Sequence, residues 1–207
     1  MRSAATTQPA IRDRILAEAE RLFRAYGYSK TTVADVAEAC EMSPANVYRF
    51  FESKAAINEA ITEVVMARME AMSLAIVREA RPATERLLRL VLEGHRFTCE
   101  QYLNESRVHE IVAKAMDEQW GVIDAHIQRL RGYYRMVIED GARSGEFENT
   151  DLEARSTSVF NAVIPFCHPQ IVAERFADDR GRQAALMATF LVDALRPRGG
   201  ASTGDPA

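Results

Sequence analysis

Apolar residues recur at helical spacing along almost the whole chain, and no stretch alternates convincingly with the period of two that marks a half-buried strand. Ile11, Ile15, Ala19, Leu22, Phe23 and Tyr26 line the first such face, which ends at Gly27. Val33, Val36, Ala37 and Cys40 form a second, short face, and Val47 with Phe51 a third. A longer helix is predicted from Ser53 to about Glu79, with Ile57, Ile61, Val64 and Val65 turned inward, stopping near Pro82. Further helices are predicted over about 83–102, about 108–118 and about 122–142, the last through Ile127, Leu130, Tyr134 and Ile138. The polar run from Ser144 to Asn149 interrupts the pattern. Thr150 with Glu153 reads as a capping box for the next helix, which Pro165 and Pro169 kink or end. The final helix covers about Arg182 to Leu195, with Leu186, Met187, Phe190, Leu191, Ala194 and Leu195 as one apolar stripe. The closing PRGGASTGDPA has the composition of a disordered tail. The fold class predicted is all-α.

The second and third faces lie unusually close together. Thr32 precedes the second face with Asp35 three places on, an aspartate version of a capping box. Ser43 is a good N-cap, and Pro44 stands at the first helical position, where a missing N–H costs nothing. Only Glu41, Met42 and Ser43 separate Cys40 from Pro44, so the two short helices must cross at a large angle, as in a helix-turn-helix. Burying Val47 and Phe51 leaves Asn46, Tyr48 and Arg49 nearer the other side. In a major groove the first turn of this helix, Ala45 and Asn46, would meet base edges, with Tyr48 and Arg49 reaching bases or phosphates. Thr32, Ser43, Ser53 and Lys54 stand at helix starts, where free N–H groups attract phosphate. The same residues also read as ordinary caps and a solvated face of a small helical core.

TTVADVAEACEMSPANVYRFFESKAAI, together with the preceding ILAEAERLFRAYGYSK, resembles the TetR family of bacterial transcriptional regulators from about Ile11 to Met66. Gly27, Thr31, Thr32, Ala37, Tyr48, Phe51 and Lys54 fall where that family's pattern has them. The resemblance implies a homodimer that binds an inverted-repeat operator in double-stranded DNA, usually as a repressor, and a C-terminal domain that releases DNA when a small molecule binds. Two residues depart from the pattern. Glu41 replaces a usual glycine of the turn, and Phe50 replaces a polar or histidine side chain, which removes an expected phosphate contact. The domains expected are a helix-turn-helix DNA-binding domain over 1–56, a helical effector-binding and dimerisation domain over 57–196, and the tail over 197–207.

Charge changes this picture little. The chain is at −4 overall, but residues 1–56 hold eight Lys or Arg against seven Asp or Glu, hence +1, leaving −5 for the remainder. Counterion release follows local phosphate contacts, so an acidic body does not oppose a basic reading face. No apolar run is long enough to span a membrane and the start lacks the apolar core of a signal peptide, so a cytoplasmic location is the default expectation. Cys40, Cys99 and Cys167 are odd in number and far apart, which suits a reducing compartment; Cys99 or Cys167 reads as a redox switch or, with no sequence neighbour that argues for a low pKa, as a structural thiol, the second being favoured.

Candidate chemistry elsewhere is thinner. Phe97, Tyr102, Met116, Trp120, Tyr133, Tyr134 and Phe160, with His126 as a polar handle, are the candidates to line an apolar effector pocket, although each reads equally well as core. The effector expected is small and apolar or aromatic. Val159, Val163, Phe166, Met187, Phe190, Leu191 and Leu195 are the dimerisation candidates, pairing the last two apolar helices with their copies in a four-helix bundle, unless both stripes only bury their own core. No histidine has a glutamate three places before it, and no G-x-S-x-G, P-loop, H-E-x-x-H or C-x-x-C occurs. The expectation is a regulator with no enzymatic activity, no cofactor and no metal. The alternative is a helical small-molecule carrier or interaction module without DNA binding.

Overall fold

The computed structural model describes residues 8–102, 121–175 and 181–197. These residues form α1 (Gln8–Tyr26), α2 (Val33–Ala39), α3 (Pro44–Tyr48), α4 (Lys54–Val77), α5 (Ala83–Tyr102), α6 (Gly121–Ser144), α7 (Leu152–Cys167), α8 (Pro169–Arg175) and α9 (Arg182–Leu195), with no strand among them. The helix expected over 108–118 lies outside the described residues. The chain divides into two compact units, one of Met1–Met69 with Glu100–His126 and one of Glu70–Cys99 with Ile127–Ala207.

The first unit closes around Ile15, Ala19, Phe23, Val36, Ala37, Val47 and Ile57, all fully buried. Burying such side chains, at about 1.5–3 kcal/mol for each large one, stabilises helices that are too short to persist alone. Gly27, at φ 94, ends α1. Tyr26, predicted on the buried face, is instead 58% exposed. Val64 is likewise exposed, while its neighbour Val65 takes the inward position.

The second unit packs around Leu87, Val91, Val137, Ile138, Phe147, Val163 and Ala188. Helix α4 is covalently shared, supplying Ile57, Ala60 and Ile61 to the first core and Ile76 and Val77 to the second. Its C-terminal turn is held by Arg86, whose guanidinium donates to the Val77 carbonyl at 2.7 Å and to Asp140 at 3.0 Å. The α7 cap differs from the sequence expectation. Asp151, in the left-handed region at φ 41, accepts from the Ala154 N–H, one residue later than the predicted Thr150. Thr150 instead accepts from Arg155, so its hydroxyl braces the turn rather than the helix. Pro165 lies inside α7 without ending it, and Pro169 opens α8.

Helix α5 borrows its N-terminal cap from a distant loop. The Glu146 carboxylate accepts from the Ala83 and Thr84 N–H groups at 2.9 and 3.0 Å and from the Thr84 hydroxyl at 2.7 Å, and Ser144 also donates to it. Partial burial works to raise the Glu146 pKa, but these hydrogen bonds outweigh it and hold the group at about 2, against an ordinary 4.5. A depressed folded-state pKa means stability that is present above the unfolded value and lost as pH falls towards the folded one. Glu146→Gln is therefore expected to lower the unfolding free energy at neutral pH by about 1–2 kcal/mol, less than the full shift implies because solvent screens a partly exposed carboxylate. In urea melts the gap between wild type and variant should close as pH falls from 4.5 to about 2. A gap that stayed constant over that window would show that the carboxylate charge does not brace α5.

Candidate nucleic-acid interface

The α2–α3 corner is built by local hydrogen bonds. Thr32 accepts the Asp35 N–H at 3.2 Å and Asp35 accepts the Thr32 N–H at 2.7 Å, so the expected capping box forms. At the other end of α2 the Glu41 N–H donates to Glu38 O and the Met42 N–H to Ala37 O, both at 2.9 Å. This is a Schellman closure, which places the residue after the C-cap in the left-handed region and commonly uses glycine there. Here that residue is Glu41, at φ 52. Relieving the clash between its Cβ and the backbone offsets the extra unfolded-state entropy of glycine, so Glu41→Gly is expected to raise stability by about 0.5–1 kcal/mol, read as a higher melting midpoint. A lower midpoint would show that the exposed contact between Arg14 and Glu41, at 3.6 Å, matters more than backbone strain.

The corner orients α3. Ser43 accepts the Asn46 N–H at 3.3 Å and Pro44 opens the helix. Val47 is fully buried and Phe51, just past the helix end, is nearly so, with the Arg12 guanidinium 5.2 Å above its ring. Ser43, Ala45, Asn46, Tyr48 and Arg49 are all exposed, and Tyr48 presents 53% of its surface. The side chains proposed to read DNA are thus all open to solvent, on α3 and its two caps, around the one buried position of the helix, Val47. Phe50 is half-buried against the first core, so its side chain is spent on packing.

Three of the predicted phosphate groups are engaged within the unit. The Thr32 hydroxyl donates to Asp35 at 2.8 Å, and the Asp35 carboxylate occupies the positive end of α2. The Thr32 hydrogen bonds hold the Asp35 carboxyl below its ordinary range, so this end carries a negative charge and repels phosphate. Ser53 accepts the Ala56 N–H at 3.0 Å and caps α4. Lys54 is half-buried, its ammonium donating to the Tyr28 and Thr31 carbonyls at 2.9 and 3.0 Å and lying 4.2 Å from the centre of the Tyr28 ring. Desolvation lowers its pKa. Two of its three N–H bonds tie the α1–α2 loop to the start of α4, leaving one for a phosphate. Tyr28 was not singled out by sequence reasoning. It packs edge-on against Phe23 at 5.2 Å, and no spacing rule marks its carbonyl as a lysine acceptor.

The effector and dimer candidates separate differently. Met116 and Trp120 lie outside the described residues, as does the side chain of Tyr102. His126 belongs to the first unit, whereas Phe97, Tyr133, Tyr134 and Phe160 belong to the second. Tyr134 and Phe160 are 5% exposed and meet edge-on at 5.8 Å within the second core. Among the dimerisation candidates Val159, Val163, Phe166, Leu191 and Leu195 are all buried in the second unit, and Met187 packs partly against it. The five buried side chains have little area left for a partner within this unit, whereas Met187 keeps part of its surface open. Phe190 alone of the set is exposed, at 66%, and it is joined by Leu186 at 62% and Ile164 at 38%.

Comparison with known proteins agrees with this geometry. Residues 15–61 match the family model described as bacterial regulatory proteins, tetR family, and residues 83–187 match the tetracyclin repressor-like C-terminal domain. The transcriptional regulator TcmR of Streptomyces glaucescens is 30% identical over 162 residues, covering 73% of this chain and 69% of its own. A TetR/AcrR-family regulator from Thermobifida fusca superposes with a TM-score of 0.67 at 20% identity, over 90% of this chain and 98% of its own. The SmeT–triclosan complex has the same fold, with a TM-score of 0.67 at 18% identity over 92% and 93% of the two chains. The exposed face of α3, the Schellman corner behind it and these matches to both parts of the chain together establish that this protein belongs to the TetR family of DNA-binding transcriptional regulators.

Proposed function

We propose that this regulator is a homodimer that represses transcription from an inverted-repeat operator and is released by a small apolar or aromatic effector held in its C-terminal domain. The observation that carries the reading is the division of α3, with Val47 wholly buried and Ala45, Asn46, Tyr48 and Arg49 all turned to solvent. Two-fold symmetry supports it, because two reading helices must meet half-sites about 34 Å apart or a multiple of that. On the two helices that carry the dimer candidates, Leu186, Phe190 and Ile164 have apolar area to give to the second protomer. A bound aromatic molecule in a protein of the same fold, SmeT with triclosan, supports an effector of that class. Helix α4 is the element both events act on, since it belongs to both cores. Family membership sets aside the alternative of a carrier without DNA binding. The regulator works on its operator in the cytoplasm, and the reading assigns it no catalytic step.

Gel retardation of DNA from upstream of its own gene tests the reading. Wild type is expected to bind at low salt and Tyr48→Ala to bind at least about tenfold more weakly, since a lost contact of about 1–3 kcal/mol has that effect. Arg49→Ala is expected to lower the salt slope by about one. No retardation at low salt, or an unchanged Tyr48→Ala, would overturn the proposal. Release should follow an effector that stabilises the protein, because shifting the population requires several kcal/mol of differential affinity.

A further inference from the structure

Two cysteines that are 68 positions apart in sequence share one corner of the second unit with a histidine. His95, 4% exposed, places Nδ1 2.9 Å from the Phe166 carbonyl oxygen. A carbonyl only accepts, so Nδ1 carries the hydrogen and the neutral ring keeps its lone pair on Nε2. That nitrogen lies 3.5 Å from the Cys99 sulfur. One residue earlier on α5, the Thr98 hydroxyl donates to the Cys167 carbonyl at 3.1 Å. A Cβ at Gly94 would stand 3.2 Å from the Cys167 sulfur, so that sulfur rests against α5 beside His95 and five residues before Cys99. Burial, and then the charge of Cys99, push the Cys167 thiol up to about 12. The two thiols therefore meet at one corner in unequal settings: Cys99 faces a base, and Cys167, half-buried, has a thiol that desolvation keeps protonated.

We propose that His95, Cys99 and Cys167 form an oxidant-responsive site in which a hydroperoxide converts the two thiols into a Cys99–Cys167 disulfide. Cys99 gives its proton to His95 Nε2, and the thiolate attacks one peroxide oxygen. The O–O bond breaks, Cys99 becomes a sulfenic acid, and the leaving oxygen takes the proton to form water or an alcohol. The Cys167 sulfur then attacks the Cys99 sulfur and expels hydroxide, which takes the Cys167 proton and leaves as water. Two thiols lose two electrons in total and one peroxide gains them. His95 and Thr98 also satisfy two terminal carbonyls of α7, so the crosslink joins α5 to the end of a helix that α5 already caps. Cys40 is the internal reference, a buried thiol whose sulfur lies 3.8 Å from the Arg14 carbonyl oxygen.

The test is treatment of the reduced, full-length protein with hydrogen peroxide, followed by intact mass and non-reducing peptide mapping. The expected product is a monomer lighter by two hydrogens with a Cys99–Cys167 linked peptide and an unmodified Cys40. Cys99→Ser and Cys167→Ser should each abolish it, and His95→Gln should slow thiol loss at least about tenfold, as removal of a general base does. The proposal is overturned if wild type yields no Cys99–Cys167 peptide, if Cys40 reacts as fast as Cys99, or if His95→Gln, shown to be folded by its melting curve, reacts at the wild-type rate.

Discussion

Lys54→Met is expected to weaken operator binding at least about tenfold and to destabilise the first unit by about 2–3 kcal/mol at the same time. The stability loss follows from geometry. The ammonium donates to two carbonyls, Tyr28 O and Thr31 O, and sits over the Tyr28 ring. Methionine keeps the length of the stem and removes both hydrogen bonds and the charge, leaving the Thr31 carbonyl without this donor and the Tyr28 carbonyl with the Thr31 N–H at 3.3 Å. Those acceptors belong to the loop that delivers Thr32, the N-cap of α2, so the loss passes to the corner that aims α3. A purely external role gives a different signature. If Lys54 served only as a phosphate contact, Lys54→Met would lower the salt slope by about one and leave the denaturation midpoint unchanged. Urea melts and salt-dependent DNA titrations on one sample separate the two. An unshifted midpoint would sink the positioning role.

Much of the helical frame was legible because local rules act within a few residues. The capping box at Thr32 and Asp35, the Ser43–Pro44 start of α3 and the spans of α5 and α9 all appear where periodicity and caps put them. What failed was the choice of face. In α9 the large residues Leu186, Met187, Phe190, Leu191 and Leu195 read as a single stripe. In the structure Ala184, Ala188, Leu191, Val192 and Leu195 turn inward, while Leu186 and Phe190 turn out. Two small alanines define the true core line, and small side chains carry little weight in a hydrophobicity pattern. A helix with apolar groups on two faces therefore looks like one with a single broad face. At α7 the capping motif was read one residue early, because a cap at Asp151 needs a left-handed backbone that sequence spacing does not reveal. The carbonyl partners of Lys54 and the approach of Cys167 to the His95–Cys99 pair were illegible for a third reason: they come from distant parts of the sequence, and only tertiary packing brings them together.

Gly141→Ala and Gly132→Ala, both on α6, are expected to change stability in opposite directions. Helix propensity alone favours alanine over glycine at each by up to about 1 kcal/mol. At Gly132 nothing lies within 4 Å of the added Cβ, so the propensity gain should appear in full as a higher melting midpoint. At Gly141 the same Cβ would stand 2.1 Å from Phe147 Cδ2 and 2.8 Å from its Cγ. The ring has nowhere to retreat, since Phe147 is 1% exposed inside the second core and its own N–H donates to the Gly141 carbonyl at 3.0 Å. Either α6 moves away or the ring leaves its site. The first costs about 1–3 kcal/mol or more in over-packing, and the second approaches the 3–5 kcal/mol of deleting a buried phenylalanine. A net loss of about 3 kcal/mol is expected, several times the propensity gain and opposite in sign. Coupling identifies the cause. Because Phe147→Ala removes Cγ, Cδ2 and Cε2, the three atoms nearest the added Cβ, the double variant should cost clearly less than the sum of the two single variants. Additive costs would place the damage somewhere other than this contact, and a stabilised Gly141→Ala would show that the approach of α6 to Phe147 is looser than the structure has it.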